Sequence, residues 1–366
     1  MKLITYSLSL IFLIVAEGRT QSRPLSSLKS NRAKNIILLI GDGMGAAQVY
    51  AGLTANKGSL NIERCPYIGF HKNQASDNYV TDSGAGATAF SIGYKTYNGA
   101  IGVDATKAVQ PTILEIAERN KLATGMVVSC SMTHATPASF IAHQPSRKMV
   151  EEIANDYLAT DIDVFIGGGK KDFNNRKDGR NLLDSLKTKG YLVLDTLPEI
   201  TKVRSGKLAG FIANEEPPSV AEGRGDQLLQ CTQTALGILS QNKKGFFLMV
   251  EGSQIDWGGH ANKGDYVTSE MIDFDKAVGA ALDFAEKDGN TLVIITADHE
   301  TGGLTLTDGD MNTGRVEMKF TTTSHTGIMI PVFAYGPGAG AFSGIYENNT
   351  IFNKMMAAFG FPVTKK

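Results

Sequence analysis

The chain has 366 residues, 20% of them charged, and a formal net charge of -1. That length can bury a large core, as one large domain or two ordinary ones. The near-neutral balance excludes the strong field expected of a protein that binds nucleic acid or an anionic membrane surface, so its partners are local rather than polyanionic.

Lys2 and the apolar run that closes at Ala16 are too short and too near the start for a membrane span. Residues 1–20 read as a secretory signal peptide, with Ile14-Val15-Ala16 offering a cleavage site; an uncleaved anchor is the alternative. No cysteine follows the run, which sets a lipid-anchored form aside. The expected location is periplasmic or secreted, with no membrane span after cleavage. Residues 21–34 are then a polar, flexible leader and 35–366 a single domain. Cys65, Cys130 and Cys231 allow one disulfide at most, and Cys130 reads as a small buried hydrophobe.

The first strand signal is the continuous branched run Asn35-Ile36-Ile37-Leu38-Leu39-Ile40, the pattern of a strand buried on both faces. It ends at Gly41-Asp42-Gly43-Met44-Gly45. These glycines are one residue short of the dinucleotide fingerprint G-x-G-x-x-G, and Asp42 puts a negative charge where a pyrophosphate would sit. A metal ligand fits that strand end better. Residues 80–93 are small throughout, and Ser83 can stand at the first turn of a helix starting near Gly84, where free amides and the helix dipole favour an anion. A plain N-cap role for Asp82 or Ser83 fits the same residues.

A helix is expected over 111–121 and a strand over 124–129, running into Ser131-Met132-Thr133-His134-Ala135-Thr136-Pro137. After a helical stretch come Ser146-Arg147-Lys148, a helix over 149–158 and a strand and turn over 163–169. Residues 170–225 are polar, with weak strand signals at 191–194 and 211–213, and are expected to form a lid-like insertion. A helix over 227–240 leads to the apolar strand 246–250, which stops at Glu251; Asp256 follows five residues later and His260 at i+4. A helix over 268–287 leads to the strand 290–297 and to Asp298-His299-Glu300. A polar excursion at 305–324 ends at His325, before a last strand at 330–335 and a helix at 348–358.

Strands alternating with helices predict a three-layer α/β sandwich, a central mostly parallel sheet covered by helices on both faces. Sites in such sheets gather outside the carboxyl ends of the strands, where Asp42, Thr136, Glu251, Asp298 and His299 fall. Carboxylates with imidazoles suit zinc, and carboxylates with hydroxyls or water suit magnesium. An exposed i,i+4 pair at Asp256 and His260 is the bland alternative. Two close divalent ions can clamp both oxygens of an in-line displacement, with Ser83 as nucleophile and Arg147 as bidentate partner of a phosphoryl group.

The runs around Asp42, Ser83, His134 to Pro137, Arg147, Glu251 to His260, Asp298 to Gly303 and His325 follow the order found in alkaline phosphatases, which the chain resembles over about 36 to 360. The resemblance implies hydrolysis of phosphate monoesters through a phosphoserine at Ser83, with Arg147 binding the phosphate. It implies one zinc held by Asp256, His260 and His325, and a second held by Asp42, Asp298 and His299. Asp42 would bridge to a magnesium completed by Thr136 and Glu251. His134 is aspartate in the enterobacterial enzymes and could favour zinc at that third site, although a role reaching phosphate through water is preferred. Trp257, commonly lysine or histidine, removes a charge near the phosphate. The family implies a homodimer, and no basic patch for nucleic acid is evident. The alternatives are a phosphodiesterase of the same superfamily and a non-catalytic periplasmic protein that binds metal or phosphate.

Overall fold

The computed structural model describes residues 32–362. Its centre is a ten-stranded sheet in the order β14-β2-β13-β8-β1-β7-β3-β4-β6-β5. The strands are β1 (Asn35–Gly41), β2 (Tyr67–Lys72), β3 (Ala123–Ser131), β4 (Val164–Gly168), β5 (Tyr191–Leu194), β6 (Lys207–Phe211), β7 (Phe246–Gly252), β8 (Thr291–Thr296), β13 (Ile330–Tyr335) and β14 (Gly344–Glu347). Two small pairs lie outside it: β9 (Glu300–Thr301) with β12 (His325–Thr326), and β10 (Thr305–Asp310) with β11 (Arg315–Lys319). β1 pairs in parallel with both β7 and β8, whereas β13 runs antiparallel to β8 and β2.

The run in β1 behaves as its pattern requires. Ile36, Leu38 and Ile40 enter one hydrophobic core and Ile37 and Leu39 the other, on opposite faces of the sheet. One core is completed by Phe90 and Phe140, the other by Met271 and Phe274 of the long helix Gly264–Asp288. Truncating Leu38, with no exposed surface, to alanine costs about 2–5 kcal/mol. The expected three-layer sandwich is therefore the architecture found.

The stretch 170–225 is not a lid. It supplies β5 and β6, which extend the sheet in parallel beyond β4, and Leu208, Ala209 and Phe211 of β6 are buried. Its polar composition comes from the connecting turns, which hid the strand starting at Lys207. The signal peptide expected at 1–20 and the leader through residue 31 lie outside the described residues. Where the leader is described it is tied down: Ala33 is buried, its amide donates to the carbonyl of Ala358, and Lys34 donates to that of Asn290. Among the described residues no helix is long and apolar enough to cross a membrane. All three cysteines are buried free thiols, so no disulfide forms among them.

Candidate active site

Ser83 opens the helix Ser83–Ile92, whose ten residues are all buried. Small residues permit this depth: a Cβ on Gly86 would meet the Asp298 Cβ at 3.0 Å. Asp82 is the N-cap and accepts from the Ala85 amide at 2.9 Å. The N-cap reading of Asp82 therefore holds, with Ser83 at the first turn of the helix. Ser83 is only 2% exposed, and its Oγ lies 3.1 Å from His299 Nε2.

Arg147 reaches the same turn from a loop held by its amide bond to the Gly99 carbonyl at 2.7 Å. Its Nη1 lies 3.1 Å from Asp82 Oδ2 and its Nη2 3.4 Å from His134 Nε2. Burial pushes the Asp82 carboxyl up, but the Ala85 amide, the Arg147 charge and the Gly99 amide outweigh it and hold it below its ordinary value.

One ligand group is the end of the helix Gln254–His260 together with β12. Asp256 Oδ1 lies 3.4 Å from His260 Nε2 and 3.6 Å from His325 Nε2, and the two nitrogens are 3.2 Å apart. A tetrahedral zinc with bonds of about 2.0–2.1 Å sets its donors about 3.3–3.4 Å apart, so this triangle has the edge length of such a site. Nδ1 of His260 faces the Thr323 carbonyl at 2.7 Å and Nδ1 of His325 the Thr81 carbonyl at 2.9 Å. Those carbonyls accept from Nδ1–H, so that both Nε2 atoms face inward and are the ones free to ligate once His260 gives up its second proton. A hydrogen bond to Asp256 raises the His260 pKa to about 9, while burial lowers that of His325 to about 4.

A second group forms where β1 and β8 end. His299 Nε2 lies 3.4 Å from Asp42 Oδ1 and 3.3 Å from Asp298 Oδ2, the same edge length again. Asp42 turns its Oδ2 toward Thr136 Oγ1, 3.5 Å away, while Glu251 at the end of β7 is fully buried nearby. Asp42 Oδ1, Asp298 Oδ2 and Glu251 Oε1 are buried without any hydrogen-bond partner. Burial, followed by repulsion from neighbouring carboxylates, pushes Asp298 up to about 6, Glu251 up to about 8 and Asp42 well above its ordinary value. Orphaned, clustered carboxylate oxygens beside imidazole nitrogens fit divalent cations, which would supply the missing partner.

The cleft above these groups has a volume of about 560 Å³ and is lined by Ser83, Arg147, Asp256, Trp257, His260 and His325, among others. None of its lining comes from 170–225. His134 meets the Trp257 ring edge-on at 6.3 Å, and its donor nitrogen lies within 4.8 Å of Cys130 Sγ and a Glu251 oxygen. Cys130 is thus buried as expected, with its thiol 3.4 Å from Glu251 Oε2.

The structure brings every residue singled out from the sequence to this one place. Two residues were not recognised for what they do: Asp82, weighed only as a cap, also holds Arg147, and Thr301 contacts both Asp256 and His299. Asp82 lies 65 positions from Arg147, a pairing no local pattern reveals. Thr301 stood in view inside Asp298-His299-Glu300-Thr301-Gly302-Gly303, but as a neutral side chain it carries no ligand signal.

The family model described as alkaline phosphatase matches residues 33–319. Alkaline phosphatase 3 of Bacillus subtilis is 41% identical over 324 residues, covering 83% of this chain and 70% of that protein. The alkaline phosphatase of Escherichia coli is 36% identical over 414 residues, covering 91% of this chain and 88% of its own. The solved alkaline phosphatase from the Antarctic bacterium TAB5 superposes with a TM-score of 0.86 at 44% identity, covering 92% of this chain and all of that one. On these matches, and with a serine, an arginine and clustered metal-ligand side chains in one cleft, the chain belongs to the alkaline phosphatase family of phosphomonoester hydrolases.

Proposed function

We propose that this protein hydrolyses phosphate monoesters to alcohol and inorganic phosphate through a phosphoserine at Ser83. The observation that carries the reading is the position of Ser83 Oγ, at a buried helix N-terminus and 3.1 Å from a histidine of a ligand group with orphaned carboxylates. Ser83 Oγ forms the new bond to phosphorus as the ester oxygen departs and takes up a proton as the alcohol. Water then cleaves the phosphoserine, releasing phosphate and restoring the hydroxyl.

Arg147 has the two parallel donors that fit non-bridging phosphoryl oxygens, and Asp82 presets its angle. Asp256, His260 and His325 would hold one zinc, Asp42, Asp298 and His299 a second, and Asp42, Thr136 and Glu251 a magnesium. Such ions supply positive charge at the attacking and leaving oxygens and lower the pKa of a bound hydroxyl or water. The carboxylates of Asp42 and Glu251 with the Thr136 hydroxyl are hard oxygen donors that suit magnesium as the third ion. His134, whose Nε2 lies 3.4 Å from Arg147 Nη2, would reach phosphate through water. The chain is further read as an exported, periplasmic or secreted homodimer.

The test is to strip the protein with a chelator, add zinc back with magnesium present, and follow hydrolysis of an aryl phosphate monoester beside the matching diester. Recovery saturating at two zinc ions per chain, with the monoester preferred, is the expected result. Preference for the diester would point to a phosphodiesterase, and zinc uptake without hydrolysis to a binding protein.

A further inference from the structure

Thr301 is fully buried, and its hydroxyl touches both zinc-ligand groups. Its Oγ1 donates to Asp256 Oδ1, of the group that includes His260 and His325, and lies 3.2 Å from Nδ1 of His299, of the group that includes Asp42 and Asp298. The backbone that presents this hydroxyl is fixed from three sides. The Thr301 amide donates to the Gly43 carbonyl at 3.2 Å, its carbonyl accepts from Gln48 Nε2 at 2.9 Å, and the residue stands opposite His325 in the β9–β12 pair. The two groups also adjoin directly: the His299 and His325 rings stack at 3.6 Å, and ligand atoms of Asp256, His299 and His325 lie within 4.8 Å of one another.

The direction of each bond follows from counting protons. A threonine hydroxyl has one, and an ionised carboxylate can only accept, so the hydrogen goes to Asp256. The contact with His299 must then run the other way, from Nδ1–H to the Thr301 oxygen. A neutral imidazole protonated at Nδ1 carries its lone pair on Nε2. That nitrogen is the one facing Ser83 Oγ, Asp42 Oδ1 and Asp298 Oδ2. One hydroxyl therefore orients the Asp256 carboxylate and selects the ligating tautomer of His299.

We infer that Thr301 is a positioning residue that couples the two zinc-ligand groups, so that losing its hydroxyl weakens metal binding at both although Thr301 ligates neither. The inference rests on the metal reading given above. In Thr301→Val the shape is kept, but His299 Nδ1–H is left buried without an acceptor and Asp256 loses a donor. The imidazole is then released toward the tautomer protonated at Nε2, which cannot bind a metal there. Thr301→Ser retains the hydroxyl and should behave like wild type.

The test is calorimetric zinc titration of the chelator-stripped full chain as wild type, Thr301→Val and Thr301→Ser, with circular dichroism as the check on folding. Affinity in Thr301→Val is expected to fall on the order of 10–100-fold at both sites, the usual effect of removing a partner behind a ligand. Thr301→Ser should recover it to within a few-fold. In a His260→Ala background, where one group is disabled, Thr301→Val should still weaken the remaining Asp42, Asp298 and His299 site. Unchanged affinity, or a loss confined to one site, would overturn the coupling. Nitrogen–proton correlation spectra of the metal-free wild type give an answer independent of whether the variant folds: His299 must be protonated at Nδ1, and a proton on Nε2 overturns the inference. If wild type itself takes up no zinc, the metal reading fails and the coupling with it, whereas a failure of the variants to differ sinks the coupling alone.

Discussion

Asp82 Oδ2 lies 3.1 Å from Arg147 Nη1, while Asp82 Oδ1 accepts from the amides of Ala85 at 2.9 Å and Gly99 at 3.0 Å. One carboxylate therefore caps the helix that Ser83 opens and holds the Arg147 guanidinium beside it. Serine is also a good N-cap but cannot form the ion pair, so two variants separate the two roles. Asp82→Ser is expected to retain most stability and Asp82→Ala to lose about 1 kcal/mol more. Both should weaken inhibition by inorganic phosphate several-fold, because Arg147 must then be ordered by the ligand. Denaturant titrations and phosphate inhibition constants measure the two effects; equal phosphate inhibition in wild type and both variants would rule out the tether.

Metal-free stability should depend on pH in an unusual direction. Burial raises Glu251 to about 8 and Asp298 to about 6, both above the values of the unfolded chain. A carboxyl whose folded pKa is raised leaves its stabilising contribution intact below its unfolded pKa of about 4, and that contribution is lost as pH rises through the folded value. These two carboxyls thus pull the stability of the chelated protein down between about pH 4 and pH 8, against the rise that buried His299 and His325, lowered to about 4, bring below about pH 6.5, and Glu251→Gln, which cannot ionise, should remove its share of the decline. Denaturation midpoints of chelated wild type and variant at pH 5 and pH 8 decide it. Adding zinc and magnesium should restore wild type most at the higher pH, where the ligands are ionised.

Trp257 lines the cleft with its edge toward His134, and it brings no charge to the phosphate. A lysine there would add a cation that interacts with a bound dianion. Trp257→Lys is expected to lower the phosphate inhibition constant several-fold and to slow turnover where product release limits it. An unchanged inhibition constant would show that position 257 does not reach the phosphate.

Much of this was legible in the sequence for physical reasons that can be named. A strand buried on both faces must be apolar at every position, so β1 and the first part of β7 stood out. Ligands at strand ends did too, because a charge following such a run needs a reason. β2 and β14 escaped because strands at the outer end of the sheet are only partly covered: Ile68 is 53% exposed and Ile345 64%, which breaks the inward alternation. β6 was placed late and the segment around it misjudged, since a short strand among polar turns carries little periodicity. Asp82 with Arg147, and Thr301 with Asp256 and His299, are contacts between distant or neutral residues, and only the fold reveals them.

The glycines of Gly41-Asp42-Gly43-Met44-Gly45 let backbone approach the site closely, and Gly43 shows what it approaches. Its φ is +72°, and a Cβ there would fall 2.7 Å from the Asp256 Cα and 2.8 Å from Thr301 Oγ1. The Gly43 amide also lies 3.3 Å from Asp298 Oδ1, and its carbonyl accepts from the Thr301 amide. Alanine would carry the left-handed penalty of about 1–2 kcal/mol and would have to push the helix bearing Asp256 away from β1. A shift of that helix moves Asp256 and His260 relative to His325 and opens the 3.2–3.6 Å triangle they form. Gly43→Ala is therefore expected to fold with a lowered melting temperature, to lose zinc affinity chiefly at the Asp256, His260 and His325 group, and to drop kcat/KM by at least tenfold. Zinc titration of the stripped variant checks this directly. Wild-type zinc affinity in a stably folded Gly43→Ala protein would mean that the ligand triangle tolerates the displacement and that the glycine serves the turn alone.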